Sequence, residues 1–164
     1  MGPSQSFLIG IFCGLRAGTP SAVTSWLRPQ RWTKFPSPFS LPSSPRGRLL
    51  VSAGAGIELV GDKLPKTPSR TAAAGVSARL LSGAFTGACV ADEGQALQGA
   101  VLGALGALVG TFGGHKLRVL LPKALGVSDF PIALLEDAVT IGGSLAVTLS
   151  LPTDDGIEAK QPIV

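Results

Sequence analysis

A chain of 164 residues has length for one domain, and with 45% hydrophobic against 15% charged residues its mean hydropathy is +0.40. Twenty-two Gly, seven Phe, two Trp and no Tyr exclude a soluble core filled with large side chains and fit close helix packing in lipid. The net charge of +4 would suggest nucleic acid if it formed a patch on a soluble domain. The basic residues instead sit between apolar segments, so membrane lipids are the expected partner and nucleic acid is not. Cys13 and Cys89 lie in apolar stretches and His115 stands alone, too little for a disulfide framework or a metal site. No cofactor is expected.

In chain order, Met1–Ser6 lacks a basic region ahead of the apolar run, so the first segment is expected to be retained. Phe7–Leu27 is the first candidate span. Gly10, Gly14 and Gly18 give it one small face, whereas Arg16 and Pro20 interrupt its middle. A charge there costs about 2.5 to 3.5 kcal/mol on insertion scales, and proline frees a carbonyl. The helix is therefore expected to break or to face a polar interior, with Gly14–Ser21 as a site candidate. Arg28–Arg48 turns to Pro and Ser and carries five basic and no acidic residues. It reads as a loop unable to pack a core, and as the strongest cytoplasmic signal. Leu49–Val60 is twelve residues, about 18 Å of helix, short for a crossing. With basic flanks on both sides it reads as re-entrant, with Glu58 near its inner end, or else as a tilted span reaching into residues 61–65.

Ala72–Ala91 is the next span, with Gly83 and Gly87 on a small face and Arg79 placed to snorkel to the surface. Asp92, Glu93 and Gly94 make an acidic outer turn. Ala96–Phe112 is uncharged and, at seventeen residues, rises about 25 Å as a helix. Gly99, Gly103, Gly106, Gly110 and Gly113 line one face of it, where another backbone can approach. Gly110–Lys116 lacks phosphate-loop spacing and reads as a helix end, followed by a basic loop with His115, Lys116, Arg118 and Lys123. Phe130–Leu151 is the last span and carries Glu136 and Asp137. The fold class is thus all-α: a polytopic helical membrane protein of about four crossings plus one short or re-entrant segment, with Gly-rich helix packing. Residues 1–151 form the membrane domain, with the loop at 28–48 inside it, and 152–164 form a polar tail. Both termini are expected outside. Leu64-Pro65-Lys66 followed by Gly75-Val76-Ser77 is echoed by Leu121-Pro122-Lys123 followed by Gly126-Val127-Ser128, a pattern open to a repeat or to chance.

Intramembrane charges mark functional candidates because an unpaired charge in lipid is expensive. Arg16, Glu58, Asp62, Glu136 and Asp137 form the candidate polar or ion site. Glu136 and Asp137 are about 100° apart on a helix. Glu136 is expected to face inward, since Gly143 lies on its side, and to meet Glu58 with Arg16 as counter-charge. Lys63, Lys66 and Arg70 are candidate lipid-headgroup contacts. No nucleophile, base and orienting group can be assembled, so no enzyme is expected.

Four stretches together, GLRAGTPSAV at Gly14–Val23, ELVGDKLPKTPSRT at Glu58–Thr71, GALVGTFGGHKLR at Gly106–Arg118 and ALLEDAVTIGG at Ala133–Gly143, resemble a bacterial family of small integral-membrane proteins known as domain of unknown function 4126. The resemblance covers most of the chain, while Pro29–Arg48 departs from the family pattern. It implies an all-helical protein of the bacterial inner membrane, and no activity, substrate or cofactor, so no residue role carries over. Two functions stand side by side: a small transporter or channel for a cation or proton-coupled solute, using Glu58 and Glu136; or an accessory membrane protein whose charges fix packing. A homo-oligomer through the glycine faces is expected.

Overall fold

The computed structural model describes residues 3–61 and 72–152. It contains six α-helices: α1 (Pro3–Leu15), α2 (Gly18–Leu27), α3 (Pro45–Gly61), α4 (Ala73–Val90), α5 (Ala96–Leu125) and α6 (Asp129–Leu149). Two short 3₁₀ turns, Pro29–Trp32 and Leu41–Ser43, join α2 to α3, and no strand occurs among the described residues. Helices α4, α5 and α6, of 18, 30 and 21 residues, are each long and apolar enough to cross a membrane.

Burial runs opposite to that of a soluble domain. The largest fully enclosed side chains include Arg16, Thr24, Thr86, Thr140 and Thr148, whereas Leu97 is 80% exposed, Ile57 73% and Leu81 67%. Water would penalise so much exposed aliphatic surface. A hydrocarbon solvent removes that penalty and leaves polar groups to find partners inside. The three apolar helices and this inverted burial point to an integral membrane protein.

The chain from Phe7 to Leu27 carries the interruption expected of it. It breaks at Arg16–Ala17, and α2 turns back along the bundle. Ser6 on α1 donates to the Gly87 carbonyl of α4, Ala17 at the break accepts from Ser82, and Ser21 on α2 is again level with Thr86. Beyond α2, Arg31 reaches the Val90 carbonyl. Helices α1 and α2 therefore form a hairpin whose open end lies with the C-termini of α4 and α6 and whose tip points toward the other end of the bundle. Residues 49–60 belong to a longer helix, α3, which starts beside the open end and reaches the tip, where Glu58 meets Gly18.

This arrangement also corrects the reading of residues 28–48 as a cytoplasmic loop on the far side from the acidic turn. They lie at the same end as Asp92–Gly94, and their charges cap helix ends. Lys34 donates to the Cys89 and Ala91 carbonyls at 2.9 and 3.2 Å, Arg31 to Val90 at 3.1 Å, and Arg28 to Leu151 at 3.2 Å. Burial holds the Lys34 ammonium below the usual lysine range. Nor is the segment without packing, because Trp32 is buried and Phe39 stacks on Phe85 with ring centres 4.7 Å apart.

Backbones come close where α1 and α4 meet α5. A methyl group at Gly103 would overlap the Gly83 carbonyl, one at Gly10 the Gly103 carbonyl, and one at Gly110 the Ile11 carbonyl. Gly113 lies off this face with nothing within 4 Å, and Gly114 takes its place against Leu15. Helix α5 does not end near Gly114. It continues through the basic segment and Pro122 to Leu125, and Gly126, in the left-handed conformation at φ 65°, closes it. The echoed triplets differ in structure, since Gly75–Ser77 is helical and Gly126–Ser128 is the connection between α5 and α6. Replacing Gly103 by Val should overpack this contact and destabilise the fold by about 1 to 3 kcal/mol or more. Gly113→Ala should be neutral or gain up to about 1 kcal/mol. Thermal melting of the two purified variants in detergent checks the contrast.

Candidate functional site

The break between α1 and α2 exposes polar backbone in the middle of the bundle, and the surrounding helices supply its partners. Arg16 closes the last turn of α1 through its N–H to the Phe12 carbonyl at 2.9 Å. Its side chain is fully enclosed, with Nε and Nη2 at 2.8 and 2.7 Å from Oδ1 of Asp137 on α6. The first N–H groups of α2, which no residue of that helix can satisfy, point at α3. Ala17 donates to Glu58 Oε1 at 2.8 Å and Gly18 to Oε2 at 2.7 Å. Glu58 thus does the work of an N-cap from another helix, and its charge complements the positive end of the helix dipole. Gly18 is needed because a Cβ there would stand 2.8 Å from the Ala55 Cα. Pro20 falls in the first turn of α2, where a missing N–H does least harm.

Around the tip, Arg79 Nη2 lies 3.7 Å from Glu58 Oε1. Arg79 is buried rather than extended to the surface as expected. Ser82 donates to the Ala17 carbonyl, and Ser21 lies 2.7 Å from the Thr86 hydroxyl. On the tip side of the cluster, Arg118 of α5 holds Asp129 through two contacts of 2.9 and 2.8 Å, and its Nη1 lies 3.7 Å from Glu136 Oε2. Glu136 and Arg118 line an apolar cleft of about 130 Å³ between the tip-side ends of α5 and α6, walled by Leu15, Leu117, Leu121 and Ile132.

Of the candidate ion-site residues, Arg16 and Asp137 form one pair, Glu58 sits on the tip beside them, and Glu136 faces the cleft. The α6 carboxylate in contact with Arg16 is Asp137. Gly143, the guide to orientation, packs against the Phe12 ring on α1, and the hairpin tip reaches α6 on the face that bears Asp137. Asp62, and the candidate headgroup contacts Lys63, Lys66 and Arg70, lie outside the described residues. Ser21 closes the Gly14–Ser21 candidate stretch, whereas Arg79, Arg118, Ser82 and Thr86 join the site without having been singled out for it. Arg79 carried a usable signal, an ionisable group within a span. The hydroxyls carried none. Among the described residues no three His, Cys, Asp or Glu side chains gather as a metal site would require.

Removing one member of a buried ion pair leaves the other uncompensated, at a cost of about 3 to 5 kcal/mol, whereas replacing both by apolar groups is far milder. Asp137→Ala should therefore melt well below the wild type, and Arg16→Met combined with Asp137→Leu should recover much of the loss in the same melting assay.

No curated protein and no solved structure matches the chain. One family pattern does, over residues 5–153, which takes in every described helix from its first turns to the end of α6 and includes the tip, its carboxylates and the capping segment. On that match the chain belongs to the family described as Domain of unknown function (DUF4126).

Proposed function

We propose that the protein is a small multi-pass transporter that moves protons, or a small solute coupled to them, with the α1–α2 tip as its centre. Helices α3 to α6 make the four crossings and the hairpin dips in without crossing. The observation that carries this reading is the broken backbone at Arg16–Ala17, held among Glu58, Arg79 and Asp137. Non-helical backbone at membrane depth is tolerated where it is buried in protein or lines a path. Half-helix termini facing charged groups recur at transport sites. The end with His115, Lys116 and Lys123 is the cytoplasmic one, on the bacterial inner membrane, because its basic residues are surplus to helix capping. Lys63, Lys66 and Arg70, three basic residues close together in the sequence, suit anionic headgroups. Self-association falls to faces such as those of Gly54, Gly56 and Gly142, which meet nothing within 4 Å among the described residues.

A second reading has its own support: Glu58, Glu136 and Asp137 each engage a basic side chain of the same chain, as charges that only fix helix register would. Charge movement by the wild type in proteoliposomes, on a solid-supported membrane stepped in pH and then in Na⁺ and K⁺, separates the two. The transporter reading expects a transient on the pH step that is lost in a folded Glu136→Gln variant. Silence under every gradient from inserted, folded protein assigns the chain to the accessory class.

A further inference from the structure

Thr19 Oγ1 and Ser144 Oγ are both enclosed and have no hydrogen-bond partner among the described residues; Thr19 is 5% exposed and Ser144 0%. A buried hydroxyl without a partner costs about 1 to 3 kcal/mol. Two of them therefore ask for a group to bond to. Ser144 belongs to a seam of hydroxyls. Helices α2 and α6 run side by side, with Arg16 against Asp137 at the tip, Thr24 Oγ1 3.4 Å from Thr148 Oγ1 higher up, and Arg28 on the Leu151 carbonyl at the open end. That register sets Ser144 level with Pro20, one turn before Thr24. On α6 the seam reads Asp137, Thr140, Ser144, Thr148, with Thr140, Ser144 and Thr148 all fully enclosed. Successive hydroxyls four residues apart are separated by about 6 Å along the axis. One water, bonding at about 2.8 Å to each neighbour, spans such a gap. Thr140 and Thr24 already donate to the Glu136 and Pro20 carbonyls, so their oxygens are turned to accept.

We infer that the α2–α6 seam holds internal water on this hydroxyl ladder, and that the resulting file is the proton path between the open end of the hairpin and Asp137. The inference rests on the transport reading for its second half only. Each water, and Ser144 with its uncommitted O–H, accepts a proton on a lone pair and releases its own to the next, while Thr24 and Thr140 only accept hydrogen bonds that hold the waters; no net bond is made along the file until the carboxylate of Asp137 takes the proton. That step neutralises the partner of Arg16. The other charges around the tip are Glu58 with Arg79 and Glu136 with Arg118. An alkali cation fits the seam poorly, because its inner end is the Arg16 guanidinium.

Water-to-protein magnetisation transfer in solid-state NMR of the full chain in lipid reads the first half directly, without a variant. Transfer to Ser144 should build up within about twofold of that to exposed Thr33, since enclosed polar sites of this kind hold water. Build-up as slow as at enclosed Ala107 overturns the file, whatever the protein transports. Proton current in proteoliposomes reads the second half: Ser144→Ala should lower it by about tenfold or more while Ser144→Thr retains it, as expected when one relay group is lost. A wet seam with wild-type current unaffected by Ser144→Ala overturns the path. A wet seam in a protein without any current overturns the path together with the transport reading, and a dry seam with current leaves transport standing by another route.

Discussion

A guanidinium buried in the middle of a helical bundle can persist only where a carboxylate waits for it, and the pairing of Arg16 with Asp137 sets the depth and rotation of everything attached to the hairpin. It joins the end of α1 to α6 through two short contacts. Glu58 completes the arrangement from α3 by taking the two N–H groups that the break leaves open. The tip is thus held by its polar atoms, which is the economical choice in lipid. Apolar surface there gains little from association, and unmet hydrogen bonds cost several kcal/mol. Glycines let the rest follow. Gly10 and Gly14 bring α1 against α5 at backbone distance, and Gly83 and Gly87 do the same for α4.

The same constraint explains the charge distribution. In the segment joining α2 to α3, Arg31 and Lys34 end on the last carbonyls of α4, and Arg28 on the Leu151 carbonyl just beyond α6. These carbonyls cannot be satisfied within their own helices, and cations are favoured at that end of the dipole. Basic residues without acidic neighbours are what a multi-helix capping strap needs. Phe35 and Phe39 pack the strap onto Phe85, so it is part of the folded domain.

Much of this was legible in the sequence. The Arg16 and Pro20 interruption marks a break, and the break falls at Arg16–Ala17. Helices α4 and α6 lie within a residue or two of the apolar runs that announce them. What the sequence did not disclose has a common cause. Hydropathy counts apolar residues and loop charge but not the hydrogen bonds that charge makes. Arg28 to Arg48 therefore resembled a positive cytoplasmic loop, when its first three cations were occupied by helix ends. Likewise His115 to Lys123 resembled a loop, although Lys and Arg are good helix formers and the helix simply continues past the apolar stretch. At the site, Asp137 and Glu136 differ by one position, and only the direction from which the tip approaches decides between them. The hydroxyls of Ser21, Ser82 and Thr86 gather through tertiary packing, for which single-residue chemistry gives no sign.

The central claim is that residues 3–27 enter and return on one side, and sidedness measures it most directly. In a background with Cys13 and Cys89 replaced by Ala, single cysteines at Ser37, Glu93 and Lys123 would be labelled with a membrane-impermeant maleimide on intact and opened vesicles. The hairpin predicts that Ser37 and Glu93 react from one side and Lys123 from the other. Labelling of Ser37 together with Lys123, opposite Glu93, would mean that the first segment crosses the membrane and would contradict the fold.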